Sequence, residues 1–184
     1  MGGTSSSPQE KPPFWWLLFF KVKIMIDSFE GRYAFLSNFY PCKIEYQGIK
    51  YPSVEHYYVA MKVNNQQLID GKYYTPADYR EMVSRIPTAG QVKRLGRKAT
   101  LRKDWDIVKF KVMNFAVREK FKDTDLANLL LMTGNEELIE GNYWNDVIWG
   151  ICNGKGENHL GKILMAVRDE LRGKKRTGLE EILK

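Results

Sequence analysis

Apolar and polar positions alternate in two short stretches of the first third of the chain. The segment Lys21–Ile26 alternates enough to predict a strand. In CKIEYQGIKYPS, residues 42–53, apolar residues alternate with polar ones on both sides of Gln47-Gly48. Alternation interrupted by a glycine turn is typical of a β-hairpin. We therefore expect a small antiparallel sheet near the N-terminus.

Beyond residue 53 the apolar residues recur at the spacing of an α-helix. Ser53 is a candidate N-cap for a helix over about 54–64, and Thr75 followed by Pro76 is a typical helix start. A strand is predicted in ELIEG, and Gly134 and Gly173 are predicted helix terminators. Further helices are predicted at residues 75–85, 88–99, 105–121, 125–133 and 158–173.

These elements predict one α+β domain over residues 24–173, predominantly helical, with the small sheet first. Residues 1–23 are a leader and residues 174–184 a basic tail that we expect to fray. FWWLLFF, residues 14–20, is too short to span a membrane, so no membrane span is predicted. MGGTSS fits the loose N-myristoylation pattern, and a disordered leader before an apolar packing segment is the alternative.

The net charge of +7 comes mostly from the chain ends. Residues 24–171 hold 21 of the 29 basic and 19 of the 22 acidic side chains, so the body is close to neutral. A broad basic surface for nucleic acid is not indicated. Two cysteines, Cys42 and Cys152, do not form a secreted disulfide framework, and no closely spaced His/Cys set is present for structural zinc. We expect a cytoplasmic protein without a metal.

The segment YPSVEHYYVAMK places a carboxylate and an amine on one helical face. Glu55 and Lys62 are seven residues apart, nearly two turns, and aromatic residues surround them. An acid in the first helical turn is also favoured by the helix dipole, so a surface ion pair is the alternative to a pocket. His56 alone is more typical of a packing residue.

Residues 142–162, NYWNDVIWGICNGKGENHLGK, form a second candidate segment. It combines Asp146 and Trp149 with several glycines ahead of an apolar helix. Such a loop can hold phosphate at a helix N-terminus, although its spacing is not that of a Walker A loop. A long surface loop is the alternative. In QVKRLGRKATLRK, Lys93 and Arg97 share a helix face that is either solvated or a phosphate contact.

In order along the chain, these motifs resemble the YbiA-like family, also called the NADAR (NAD- and ADP-ribose-associated) domain or RibX-type N-glycosidases. The resemblance covers roughly residues 27–171 and rests on the following stretches: FLSNFYP, GIKYPSVEHYYVAMK, AGQVKRLGRK, WDIVKFKVMNFAVREKF and LLLMTGNEELIEGNYWNDVIWGICNGKGENHLGKILMAVRDEL. The positions that match the family are Ser37, Asn38, Glu55, His56, Lys62, Arg97, Trp105, Asp146, Trp149, Asn158 and Gly161. Val147 and Ile148 depart from the usual proline or aromatic residue, which leaves the substrate branch open.

The resemblance implies an α+β fold, no metal or redox cofactor, and cleavage of an N-glycosidic bond. The implied substrates are small molecules: phosphoribosyl intermediates of riboflavin synthesis in one branch and ADP-ribosylated guanine, including that in nucleic acid, in another. The implied catalytic residues are Glu55 as the main acid/base, Lys62 as an electrostatic partner or Schiff-base nucleophile, and Asp146 to orient water or a ribose hydroxyl. The implied substrate-binding residues are Ser37, Asn38, Phe39, His56, Tyr57, Arg97, Trp149, Gly154, Gly156 and Asn158.

Within that set, Trp149 with Tyr57 or Phe39 is expected to stack on the heterocycle. Arg97 and the loop from Gly154 to Asn158 are expected to hold phosphate. Two rival functions stay open at this point. One is a module that binds ADP-ribose or a nucleotide without turnover, and the other is a nucleic-acid protein that uses the basic tail.

Overall fold

The computed structural model describes residues 25–182, and the side chains of residues 25–173. The predictions for the leader, including those for FWWLLFF and for myristoylation, lie outside the described residues. The strand predicted at Lys21–Ile26 is described only at Met25–Ile26, where it is present.

The described chain is mainly helical, with short strands between the helices, as the α+β prediction requires. A 3₁₀ helix at Gly31–Leu36 comes first. The α-helices are α1 Val54–Ala60, α2 Pro76–Ser84, α3 Ala89–Gly96, α4 Trp105–Lys120, α5 Thr124–Met132 and α6 His159–Ile182. Among these helices, none is both long and apolar enough to cross a bilayer.

Within residues 25–182, eight short strands form four separate two-stranded sheets. The strands are β1 Met25–Ile26, β2 Ile44–Tyr46, β3 Ile49–Tyr51, β4 Gln67–Ile69, β5 Lys72–Tyr74, β6 Glu137–Leu138, β7 Gly141–Asn142 and β8 Ile151–Cys152. The pairs β2–β3 and β4–β5 are antiparallel hairpins, whereas β1–β6 and β7–β8 are parallel. The two parallel pairs were not predicted: β1–β6 joins segments that are distant in the sequence, and β7 and β8, ten residues apart, have only two residues each.

The first predicted hairpin is confirmed. Gln47 and Gly48 both have positive φ values, 51° and 79°, as a two-residue type I′ turn requires. A second hairpin was missed although its turn, Asp70-Gly71, carries the same signal, with φ values of 49° and 77°. Its strands contain too few alternating apolar residues to be recognised from pattern alone.

The helix starts follow the predicted caps. Ser53 Oγ accepts a hydrogen bond from the His56 backbone N–H, and Thr75 forms a capping box with Asp78. Gly134, with a φ of 59°, follows the end of α5 as predicted. The prediction that Gly173 ends the last helix was wrong. Helix α6 continues to Ile182, since a glycine in a helix interior weakens the helix without ending it.

Helix α1 lies at the centre of the fold, and all seven of its residues are buried. Helices α2, α3 and α4 all contact it. It ends at Ala60, earlier than the predicted 64: the Met61 N–H still bonds the Tyr57 carbonyl four residues back, but the next N–H, that of Lys62, bonds a carbonyl only three residues back. Lys62 therefore lies in the turn after the helix, where its N–H donates to the Val59 carbonyl at 3.2 Å.

Close packing between α1 and α3 fixes the position of this turn. A Cβ atom on Gly96 would lie 2.9 and 3.0 Å from the two methyl carbons of Val59, and 3.5 Å from Lys62 Nζ. A glycine at this position lets the two helix backbones approach more closely than any other residue would. Gly90, in the same helix, has nothing within 4 Å of the equivalent position.

We predict opposite stability effects for alanine at these two glycines. Gly96→Ala should lower the free energy of unfolding by about 1–3 kcal/mol, since overpacking outweighs the gain in helix propensity. Gly90→Ala should raise it by about 0.5–1 kcal/mol. Urea denaturation of both variants checks the pair, and equal effects would contradict the close approach at Val59.

Candidate active site

A cavity of about 690 Å³ opens beside helix α1. This volume is in the range typical of sites for small molecules. Its walls come from α1, α3, the loop after the 3₁₀ helix and the segment that follows β6. The polar and aromatic residues lining it include Ser37, Asn38, Phe39, Glu55, Tyr58, Lys62, Lys93, Arg94, Arg97, Glu140, Tyr143, Trp144, Asp146 and Trp149.

Glu55 lies in the first turn of α1, and only 8% of its surface is exposed. Its carboxylate makes no hydrogen bond and no ion pair with any residue in the described range 25–182. Burial raises the pKa of Glu55 above its ordinary value, and the nearby cation of Lys62 opposes this rise. A buried carboxylate without a protein partner that faces a cavity is available to a ligand.

Lys62 shares this part of the cavity with Glu55 and Tyr58. Its Nζ lies 5.4 Å from the centre of the Tyr58 ring, within the range of a cation–π contact. Burial lowers the pKa of Lys62, and Glu55 counteracts this by favouring the ammonium form. The lowered pKa increases the share of neutral, nucleophilic amine.

Asp146 and Trp149 are positioned together by one local hydrogen-bond network. Asp146 Oδ1 accepts from the Trp149 N–H at 2.9 Å and from the Ile148 N–H at 3.3 Å. The Asn142 side chain donates from Nδ2 to the Asp146 carbonyl at 2.8 Å and accepts from the Asp146 N–H at 3.0 Å. The Trp149 Nε1–H donates to Tyr58 Oη at 3.2 Å, and the two rings meet edge to face. The loop 142–149 is thereby attached to α1.

The loop 37–39 forms another wall. The Asn38 carbonyl accepts from the Glu55 N–H at 3.0 Å, and the Ser37 carbonyl accepts from Lys120 Nζ at 2.7 Å. Lys120 is almost fully buried, and burial lowers its pKa to about 8. The Asn38 Oδ1 atom is buried and has no hydrogen-bond partner among the residues described, so its amide is available to a ligand.

Three cations line the side of the cavity formed by α3. Lys93, Arg94 and Arg97 belong to this helix or its C-cap. Lys93 Nζ lies 5.5 Å from the ring centre of Phe39 and 5.2 Å from that of Trp144. Cations with aromatic rings beside them suit a phosphorylated ligand that carries a heterocycle.

Glu140 brings a second buried carboxyl group to the cavity. Its backbone N–H donates to Asn158 Oδ1 at 3.1 Å, and its carbonyl accepts from the Ile151 N–H at 2.8 Å. Its Oε2 atom is buried and has no hydrogen-bond partner in the part of the chain that the structure describes. Burial, together with the negative charge of Asp146, raises the pKa of Glu140 to about 7.

His56 and Tyr57 were predicted to contact substrate, but they lie outside the cavity lining. His56 Nε2 is 3.0 Å from the Ile86 carbonyl, which can only accept, so Nε2 carries the hydrogen. Nδ1 then accepts from the Ser53 hydroxyl at 2.6 Å. The Tyr57 ring packs against Tyr46 and other core rings. Both side chains therefore connect α1 to the core.

Gly154, Gly156 and Asn158 were predicted to hold phosphate and also lie outside the lining. Asn158 is 5% exposed, and its amide is occupied by the Leu138 carbonyl and the Glu140 N–H. Gly156 has a φ of 145°, and a Cβ there would lie 2.2 Å from the Gly150 carbonyl oxygen. This loop serves packing, and α3 supplies the cations at the cavity instead.

The other predicted site residues lie together in the cavity: Ser37, Asn38, Phe39, Glu55, Lys62, Arg97, Asp146 and Trp149. Sequence reasoning missed Tyr58, Arg94, Glu140, Tyr143 and Trp144 as site residues. It considered Lys93, with Arg97, as either a solvated residue or a phosphate contact. No local pattern marks Glu140, whereas the helical face shared by Glu55, Tyr58 and Lys62 was a usable signal. Within residues 25–182, no three His, Cys, Asp or Glu side chains are grouped closely enough to hold a metal ion.

Residues 25–172 match the NADAR domain family. The chain belongs to this family. The resemblance inferred from the ordered motifs is thereby confirmed, and the match extends over nearly all of the described chain.

The NADAR chain is also similar to individual proteins. It is 40% identical to an N-glycosidase of Nostoc punctiforme over 76% of this chain and 86% of that one. It is 37% identical to the N-glycosidase YbiA of Escherichia coli K12, over 78% and 85%. The NMR structure of E. coli YbiA superposes with a TM-score of 0.65 at 33% identity, covering 84% of this chain and 92% of that one. That agreement confirms the predicted fold class.

A third relative is longer. A riboflavin biosynthesis protein of Vibrio vulnificus is 43% identical over 77% of this chain, but the match spans only 36% of its length. The chain therefore corresponds to one part of that protein.

We predict that His56 contributes to stability and not to ligand contact. His56→Ala should lower the free energy of unfolding by about 1–3 kcal/mol at pH 7.5, because Ile86 O and Ser53 Oγ lose their partner. Burial lowers the pKa of His56 from its usual 6.5, so protonation favours unfolding and the wild type loses this stability as the pH falls below 6.5. The difference between wild type and variant should shrink accordingly at pH 5 in urea titrations. A raised KM with unchanged stability would contradict this role.

Proposed function

We propose that this NADAR protein is an N-glycosidase, which hydrolyses the C–N bond between a phosphorylated ribose and a base. The observation that carries the proposal is the buried carboxylate of Glu55 near the amine of Lys62. Neither side chain has a hydrogen-bond partner in the described chain, and both line a cavity of about 690 Å³. The names of the Nostoc and E. coli relatives support the same reaction.

The reaction needs groups that act on two atoms of the substrate. As the bond between C1′ and the base nitrogen breaks, its electron pair goes to the nitrogen and positive charge develops at C1′. Water adds its oxygen to C1′, and a proton is delivered to the departing base. Glu55 is the acid/base that stabilises C1′ and takes the proton from the attacking water.

Lys62 has two roles open to it in this scheme. As an ammonium, it keeps Glu55 ionised. As a neutral amine, it attacks C1′ and displaces the base, which takes the electron pair of the C1′–N bond and one proton of the amine. The C1′–O4′ bond then breaks, the remaining N–H proton passes to O4′, and the Schiff base of the opened ribose that results is hydrolysed by water. The lowered pKa of Lys62 favours the second route. In either route Asp146, held by the Trp149 N–H, orients water or a ribose hydroxyl.

The other residues that line the cavity support positions for the phosphate and for the heterocycle of the substrate. Lys93, Arg94 and Arg97 hold the phosphate by charge-assisted hydrogen bonds. Trp149, Tyr58 and Phe39 line the part that takes the heterocycle. The candidate substrates are ribosylamino-pyrimidine 5′-phosphates of riboflavin synthesis, which the name of the Vibrio relative supports, and ADP-ribosylated guanine.

We place this activity in the cytoplasm. Both cysteines of the chain, Cys42 and Cys152, are free thiols. Free cysteines fit a reducing compartment.

Glu55→Gln should lower kcat by about 10²-fold or more, since it removes the acid/base but keeps the shape of the side chain. The assay gives each protein both candidate substrates and follows released base and sugar by mass spectrometry. Turnover of one substrate by the wild type, lost in the variant, identifies the reaction and the branch.

The matched control for this variant is Glu45→Gln, an exposed carboxylate on β2 outside the cavity lining, which should retain wild-type turnover. A fully active Glu55→Gln variant would remove Glu55 from the chemistry. A wild-type protein that binds both substrates and releases no product would instead be a binding module.

We predict that borohydride traps a covalent sugar adduct on Lys62 during turnover, because reduction of a Schiff base makes it permanent. Intact-protein mass spectrometry should show the adduct on wild type and on neither Lys62→Ala nor Lys62→Arg. The arginine variant keeps the charge and cannot form the adduct. Turnover by wild type without an adduct would assign Lys62 the electrostatic role.

A further inference from the structure

We propose that Glu140 is a second catalytic carboxyl group of this cavity, the one that gives a proton to the departing base. The inference rests on the proposed function, and it divides the chemistry between two acids. Glu55 acts at C1′ and its water, and Glu140 acts at the leaving nitrogen.

The backbone of Glu140 is fixed from both sides. The Glu140 N–H donates a hydrogen bond to Asn158 Oδ1, and the Glu140 carbonyl accepts one from the N–H of Ile151, in β8. Gly150 lies so close that a Cβ there would be 2.0 Å from the Glu140 carbonyl oxygen and 3.0 Å from its Cγ. These contacts leave the carboxyl group few orientations, and the side chain reaches the cavity that Glu55 lines.

The carboxyl group has no structural task that accounts for its burial. Its Oε2 is without a hydrogen-bond partner in the described chain, although a buried polar atom left unpaired costs about 1–3 kcal/mol. An unpaired carboxyl oxygen at a cavity wall is free to form a hydrogen bond with a ligand in the cavity, and that bond would offset the free-energy cost. A substrate nitrogen that accepts a proton satisfies that atom.

The charged groups around the two acids differ in sign. Glu55 faces the cations of Lys62, Lys93 and Arg97, with Asp146 as the opposing anion. Cations favour the ionised carboxylate, as stabilisation of positive charge at C1′ requires.

Glu140 faces two anions, Asp146 and Glu30, and two cations, Lys93 and Lys120. Lys120 donates to the Ser37 carbonyl, so one of its protons is already engaged. Burial and Asp146 together raise the pKa of Glu140 to about 7, so at neutral pH much of it carries a proton. Burial raises the pKa of both acids, so it is the neighbouring charges that distinguish them: cations outnumber anions around Glu55, whereas cations and anions are equal in number around Glu140.

The Glu140 O–H bond breaks and its proton joins the base nitrogen, which takes the electron pair of the broken C1′–N bond. The proton that Glu55 takes from the attacking water returns through solvent to Glu140. No further reactant is consumed.

The test compares two leaving groups on wild type, Glu140→Gln, Glu55→Gln and the Glu45→Gln control. One substrate is the ribosylamino-pyrimidine 5′-phosphate, or ADP-ribosylguanine if that is the one cleaved. The other is 4-nitrophenyl riboside 5′-phosphate, whose nitrophenolate departs without a proton. Glu140→Gln should lose about 10²-fold in kcat on the first substrate and retain wild-type kcat on the second. Glu55→Gln should lose activity on both.

The pH profile gives a second readout that does not depend on the artificial substrate. A general acid must be protonated, so kcat/KM of the wild type should fall as the pH rises through about 7. Glu140→Gln should lose this alkaline limb, whereas Glu140→Asp, which still titrates, should keep it. If Glu140→Gln does not fold, by circular dichroism, Glu140→Asp decides through the two leaving groups, because its shorter side chain should lower kcat on the N-ribosyl substrate and leave kcat on the nitrophenyl riboside unchanged.

Two results would contradict the role of Glu140, and a third would contradict the proposed function. Equal loss on both leaving groups with an unchanged alkaline limb makes Glu140 a structural residue and overturns the inference, as does full activity of Glu140→Gln. Either result leaves the N-glycosidase proposal standing. A wild-type protein that cleaves no N-ribosyl substrate overturns the proposed function itself.

Discussion

Complete burial of helix α1 is the constraint on which the rest of this structure depends. Three helices pack on its seven residues, and a glycine in α3 lets the backbones approach. Glu55 belongs to this helix, so its carboxylate leaves the low-dielectric interior only through the cavity. Its raised pKa and the lowered pKa of Lys62 are both consequences of that burial. The chemistry of the site thus follows from the packing of the core.

A second set of contacts, made by the Asn158 side chain, positions the part of the cavity wall that follows β6. The side chain of Asn158 bonds Leu138 O and the Glu140 N–H, so one amide joins the segment after β6 to the start of α6. Close glycine approaches complete this junction. Asn158, Gly150 and Gly156, which lie outside the cavity lining, therefore support the segment that carries Glu140, Asp146 and Trp149.

Local signals predicted much of the fold, because caps and tight turns depend on neighbouring residues. Ser53, Thr75 and the Gln47-Gly48 turn are examples. Family resemblance then supplied most of the site. Local patterns could not choose between Tyr57 and Tyr58, which are about 100° apart around one helix. Only the tertiary structure shows which ring meets the cavity.

Glu140 was missed for a different reason. The stretch ELIEG reads as a strand, and a glutamate near a strand end is ordinarily solvated. Its burial arises from Asn158 and Gly150, which approach it only in the folded chain. Similarly, the glycine-rich loop had the composition of a phosphate site, but Gly150 and Gly156 make room for the backbone carbonyls of Glu140 and Gly150.

The parallel pairing of β1 with β6 has a consequence for how the protein is made. Met25–Ile26 pairs with Glu137–Leu138, so the first described strand cannot form its backbone hydrogen bonds until a segment more than a hundred residues later has been synthesised. During synthesis that partner is still missing when α1 and its neighbouring helices have left the ribosome. We expect the helices around α1 to gather first and the wall that carries Glu140 to be added late, at the cost of the long loop closure. The site is then complete only after residues 137–138 have joined β1.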